Sequence, residues 1–352
     1  MVAVKLAEAM SLLLVACLSC SAATYHLDPV SGSMTNPGTA EQPWSTLEAV
    51  ASAGKSFIAG DELWLRTGHH GSPTIRGHND GEVLIRIENG ARATLRNLVV
   101  RAASNWRVQG LEISPETAPE FERITLVNLA ADATRIVIEN CEIHTIRDSS
   151  GWTAADWDGK ACNGVSISGP NNRVSANRLL NVNFGISVTG ASNVVERNVI
   201  ENFSGDGLRG LGDYGVFEFN TVKNCYAVNG NHDDGFQSWS VGRGGVGTGV
   251  VRGIVLRGNR IFNYEDANQT HRGTLQGIGC FDGFFEDWII ENNEIRTDHW
   301  HGITLSGARN CRIVNNTVVD LNTTSPGPPW IRIGPHKDGT ASSGNIIRNN
   351  LA

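Results

Sequence analysis

The 352-residue sequence predicts an all-β solenoid, and two recurring units carry that expectation. The first is a short strand containing a glycine. It stands as Asp206-Gly-Leu-Arg-Gly-Leu, Asp234-Gly-Phe-Gln-Ser-Trp and His301-Gly-Ile-Thr-Leu-Ser, with weaker copies starting at Asn163 and Phe184. Polar and apolar positions alternate within it, the period of a strand. The second unit has an Asn two places before an apolar residue, at Asn177, Asn198, Asn220, Asn259, Asn293 and Asn316. The first two steps of that series are 21 and 22 residues. Such a repeat holds two or three short strands and no helix, and it lacks the leucine consensus of a leucine-rich repeat. One Asn per coil can stack its amide on the coils above and below, so these residues are read as structural.

Taken in order, residues 1–23 carry Lys5, an apolar core and the small residues Ser21, Ala22 and Ala23, the pattern of a secretory signal too short to remain as a span. Leu14-Val15-Ala16-Cys17 also resembles a bacterial lipoprotein box, which would put a lipid on Cys17. Export to the periplasm, the medium or the outer surface follows. Residues 24–352 then read as a single domain. After an opening around Trp44, residues 45–53 have a helical pattern, and strand-like runs follow at 60–68 and 72–77. This opening resembles that of bacterial right-handed parallel β-helix proteins, the pectate-lyase-like superfamily. The resemblance implies a single-stranded right-handed parallel β-helix, with the short helix capping its N-terminal end.

Longer spacings in the Asn series mark insertions, with extra residues at 147–160, 226–232, 240–249, 262–272 and 322–329. Loops on a rigid scaffold are where sites are built. Three of them (147–160, 226–232 and 262–272) enter the glycine strands from one side and are expected to form one wall beside the Asp206–Asp234 column. The loop 240–249 leaves from the other end. The chain stops at Asn349-Asn350-Leu351-Ala352, the opening of another coil, and reads as C-terminally incomplete.

The net charge of -7 and only five lysines argue against a nucleic-acid partner. Of seven cysteines, Cys17 and Cys20 fall in the leader. The remaining five, Cys141, Cys162, Cys225, Cys280 and Cys311, are odd in number and fit no zinc spacing. They are read as buried small residues.

Set in register, the glycine strands order Asn163, Phe184, Asp206, Asp234, Gln276 and His301 in one column. Ser166, Ser187, Arg209, Gln237, Gly279, Thr304 and Arg332 form a second, outward column, with Val165, Leu208, Phe236 and Ile303 in the core. Rungs lie about 4.8 Å apart. At that range Asp206 and Asp234 repel, so either one keeps a proton or a cation bridges them. The proton gives a general acid beside a base, as in glycoside hydrolysis. Calcium held by Asp206, Asp233 and Asp234 gives a lyase-type or epimerase-type site on a uronate. Arg209 either pairs with one of the aspartates or grips a sugar acid with its planar fork.

The same residues resemble the polygalacturonase-type hydrolases, which carry Asn-Thr-Asp-Gly, Asp-Asp, Gly-His-Gly and Arg-Ile-Lys on successive coils. Here Gly205-Asp206-Gly207, Asp233-Asp234-Gly235, His301-Gly302 and Arg332-Ile333 stand in that order. The Asn-Thr is absent, Gly334 replaces the lysine, and an extra coil at Gln276 separates Asp234 from His301. The resemblance implies Asp206, Asp233 and Asp234 as carboxylates, His301 as a helper and Arg332 as a ligand for a substrate carboxylate. His232, Arg209, Gln237 and Trp239 complete the expected sugar contacts. The expected function is an exported monomer that cuts an acidic polysaccharide. A calcium-dependent lyase or epimerase and a non-catalytic glycan-binding solenoid are the alternatives.

Overall fold

The structure, a computed structural model, describes residues 21–116 and 122–352. The expected leader, with Cys17 and Cys20, lies outside the described residues up to position 20. The short parallel strands of the described residues wind three to a coil. The coil Leu208–Gly210, Val216–Glu218 and Thr221–Cys225 is followed by Asp234–Trp239, which begins the next. Each strand pairs in parallel with its counterpart one coil on: Leu208 with Phe236, Val216 with Val255, Thr221 with Arg260. Because all three faces repeat, the apolar positions stack into one axial core. Leu208, Phe217, Val222 and Phe236 are all buried within it. Coils of this kind are a parallel β-helix, as the repeats predict.

At the N-terminal end, Leu47–Ser52 forms the expected helix. Thr46 caps it, its hydroxyl accepting the Ala49 N–H at 3.1 Å. Leu47 and Val50 face inward and close the end of the core.

The Asn series forms a continuous amide ladder. Asn177, Asn198, Asn220, Asn259 and Asn293 each donate Nδ2 to the next Asn Oδ1 at 2.9–3.0 Å, and Asn316 continues it to Asn350. Every member also donates to a backbone carbonyl of an adjoining coil, as Asn220 does to Val195. Its Oδ1 accepts the backbone N–H of the preceding Asn. The turn backbone is thus satisfied without water. A shorter second column, Asn172 and Asn193, does the same at another corner.

The Asn-Cys dipeptides also have a geometric reason. Asn140, Asn224 and Asn310 adopt φ of 53, 64 and 54°, a left-handed turn that Asn tolerates. The following Cys141, Cys225 and Cys311 turn inward. All five described cysteines are unpaired and buried.

Insertion 147–160 is not merely a loop. It contains the helix Ala154–Lys160, started by a capping box between Thr153 and Asp156. Trp157 from this helix is buried and stacks on Tyr226 at 4.3 Å. Asn229 donates to Asp158, and Ala227 donates to the His271 carbonyl. The three insertions therefore pack into one wall. On the other side, the loop 240–249 folds into the antiparallel hairpin Val241–Gly242 and Gly245–Val246. His336 clasps it, its Nε2 2.9 Å from the Gly247 carbonyl.

Candidate functional site

The register places the sequence columns as expected. Arg209 pairs with Gln237, Gln237 with Gly279, Gly279 with Thr304 and Thr304 with Arg332. Asp234 pairs with Gln276, and the extra coil does separate it from His301.

The strands depart from strict alternation at one point. A Cβ on Gly235 would point into the core, against Ile261 and 2.8 Å from the Gly277 carbonyl. The next residue, Phe236, also points into the core. With two consecutive residues inward, the residue before the glycine and the one two after it share the outer face. Each rung therefore makes an outer pair three residues apart. Arg209 Nε reaches Asp206 Oδ2 at 2.5 Å, Gln237 Nε2 reaches Asp234 Oδ2 at 3.0 Å, and His301 Nδ1 lies 2.9 Å from Thr304 Oγ1. The glycine is required for room: a methyl there strikes the neighbouring coil.

Asp206 is fully engaged. One oxygen takes Arg209, and the other accepts the backbone N–H of Asp234 at 3.0 Å. The alternatives for Arg209 resolve here: it pairs with Asp206. Its guanidinium also lies 3.5 Å from the centre of the Phe184 ring and 5.4 Å from that of Trp239. Burial raises the Asp206 carboxyl, while Arg209 and the amide pull it back toward the charged form.

Asp234 is different. It is 0 % exposed, and its Oδ1 has no hydrogen-bond partner. Burial pushes its pKa well above the usual carboxylate range, and the charges of Asp206 and Asp233 push the same way. Of the two stacked aspartates, Asp234 is pushed up further, because the Arg209 side chain and the backbone amide both donate to Asp206.

Asp233 turns away from this face. Its Oδ1 accepts from Asn231 Nδ2 at 3.0 Å, and it meets the Cys225 thiol. Burial raises it to about 7. A raised carboxyl binds its proton more tightly in the folded chain. Its stabilising contribution is therefore complete below the ordinary value near 3.8 and is lost as pH rises through about 7. Asp233→Asn is accordingly expected to reduce the fall in the urea midpoint between pH 4 and pH 8. Equal falls in the two proteins would contradict this.

The remaining expected residues lie on this and the following coils. His232 is exposed on the loop side, and Trp239 is half-buried beside Arg209. His301 is half-buried among Phe281, His299 and Trp330, and burial, with His299 and Arg332 nearby, lowers it to about 4. It is neutral at pH 7 and lies two rungs from Asp234. Trp300 and Trp330 stack nearly parallel, with Trp300 41 % exposed. Arg332 is exposed over Trp330 and makes no ion pair among the described residues. Gln276, Gly279 and Phe281 were not singled out as site residues, although they meet at Asp234. The available signal was Gly279, the one position in the outward column with no side chain.

For calcium, the three aspartates would have to give up their present partners. Asp206 holds Arg209, Asp233 faces Cys225, and no three His, Cys, Asp or Glu among the described residues are grouped to hold a metal. No helix among the described residues is long and apolar enough to cross a membrane.

Comparison with known proteins agrees with the architecture. The family described as "right handed beta helix region" matches residues 163–351. A mannuronic-acid-specific polysaccharide family 6 lyase from human gut microbiota is 13% identical, with a TM-score of 0.54 over 93% of this chain and 83% of that one. An alginate lyase from a Paenibacillus species (13%, TM-score 0.46, 94% and 97% covered) and a lacto-N-biosidase from Eubacterium ramulus (14%, TM-score 0.43, 93% and 68% covered) are more distant in shape. At such identities the likeness is one of fold alone. No curated protein matches the sequence.

Proposed function

The chain belongs to the right-handed β-helix family, and from that premise we propose that it is an exported enzyme cutting glycosidic bonds in an acidic, uronate-containing polysaccharide. Its centre is the cluster of Asp206, Asp233 and Asp234. One observation carries the reading: Asp234 is a buried carboxyl on the outer side of a rigid strand, with one oxygen unserved by the protein. A carboxyl held neutral at pH 7 is suited to protonate a leaving oxygen. The glycosidic C–O bond breaks as the proton of Asp234 passes to the departing sugar oxygen, and a water adds to the anomeric carbon, its proton going to the second carboxylate, Asp206. Arg209 and Phe184 hold Asp206 in place. Arg332 is free to take a sugar carboxylate with both arms of its guanidinium. Trp239, Trp300 and Trp330 offer ring faces to sugars, with Gln237, His232 and His301 supplying polar contacts. No oligomer is needed to complete this site.

Elimination is the rival chemistry, since a fold neighbour is a polysaccharide lyase. The test is a screen of neutral and uronate polysaccharides, with and without calcium, that follows reducing ends and ultraviolet absorbance together. Hydrolysis produces reducing ends without a new absorbance. Absorbance lost in chelator would replace this reading with a calcium-dependent lyase. Glycan binding without cleavage would replace it with a binding solenoid.

A further inference from the structure

Two buried acceptors meet over Gly279. Asp234 Oδ1 and Gln276 Oε1 both lack a partner, and the residues are 0 % and 9 % exposed. A Cβ on Gly279 would overlap Asp234 Oδ1 and lie 3.0 Å from Gln276 Oε1 and 2.9 Å from Phe281 Cε2. The missing side chain is what lets the carboxyl lie down against this strand, with the edge of Phe281 beside it. Two unserved oxygens at one place are unfavourable unless a donor lies between them. No protein donor reaches either one.

From this geometry we propose that Asp234 Oδ1 carries a proton donated to Gln276 Oε1, making Gln276 the residue that positions the acid. The proposal rests on Asp234 acting as the acid. Asp234 is fully buried, so its O–H reaches a sugar oxygen only when the side chain turns from Gln276 toward the outer face. Gln276 is then free to accept a sugar hydroxyl. Gln276 touches the acid rather than the breaking bond, so it is a positioning residue. The groups facing Asp234 are Asp206 and Arg209 on the preceding rung, Asp233 beside it, Gln237 on its own strand, and Gln276 and the Cys280 thiol on the next.

The test needs no substrate. Infrared difference titration follows the protonated carboxyl band, and Asp234→Asn identifies which band belongs to Asp234. In the unaltered protein that band persists at pH 7. Gln276→Leu removes the acceptor of the neutral form, so the band's midpoint falls by about one pH unit, the effect of one neutral hydrogen bond. Gln276→Glu places a second carboxyl there, and the midpoint rises as the two share a proton. Thermal unfolding of each variant shows whether the fold is kept. A merely structural Gln276 would move the melting temperature and leave the midpoint where it was. That outcome overturns the proposal. So does the absence of an Asp234 band at pH 7, which means that the amide nitrogen of Gln276 faces an ionised carboxylate. Persistence of the band in a protein that cleaves no polysaccharide would leave this pair standing and remove the enzymatic reading.

Discussion

Asp234→Asn should lower the rate of glycosidic cleavage about 1,000-fold, the middle of the range for loss of a general acid. Asn has nearly the same shape, and its carbonyl can still accept Gln237 Nε2 as Asp234 Oδ2 does at 3.0 Å. The substitution therefore removes a transferable proton and little else. Binding of an uncut oligosaccharide should change by less than about tenfold, since the sugar contacts lie elsewhere. The unaltered enzyme should also lose activity as pH rises through the raised pKa of Asp234, because only the protonated form serves. Steady-state rates with thermal unfolding as the control decide it. A variant that cleaves within about fivefold of the unaltered enzyme would rule out Asp234 as the acid.

Asn220→Ala should be the most damaging single change outside the site. The residue is 0 % exposed. Its side chain donates to the Val195 carbonyl and Asn259 Oδ1 and accepts from both nitrogens of Asn198, each at 2.9–3.0 Å. Truncation strands the Asn198 N–H and the Val195 carbonyl in a dry core. At about 1–3 kcal/mol for each of these two unmet groups, the loss is about 2–6 kcal/mol. Asn220→Asp keeps the shape and the acceptor but aims oxygen at both the Val195 carbonyl and Asn259 Oδ1, so it should be no milder. Urea unfolding followed by circular dichroism measures this. Because coils contact only their neighbours, the transition should also broaden as coils on either side uncouple. A loss below about 1 kcal/mol would mean that water repairs the ladder.

Much of the scaffold was legible because it is repetitive. The register that pairs Asp206, Asp234, Gln276 and His301 came from aligning glycines, and it holds because a side chain there meets the next coil. The Asn series was legible for the same reason, since a ladder needs one residue type at one place in every coil. The local chemistry was less so. Strict alternation hid the outer pairs three residues apart, which arise where two consecutive residues turn inward at Gly235 and Phe236. A strand pattern also did not reveal the helix Ala154–Lys160, whose single buried tryptophan is answered by Tyr226, far along the chain.

What the sequence determined by itself is the solenoid, its register and the meeting of the carboxylates, because a repeat writes its stacking into its own period. What only the tertiary structure decided is which carboxyl is spent and which is free. Arg209 could have served either aspartate, and the folded chain pairs it with Asp206, three residues before it on the same rung. Asp234 is left leaning over a glycine one coil away, where burial pushes its carboxyl well above the usual range. Charge state depends on how many donors reach each oxygen through space, and that is set by packing between coils.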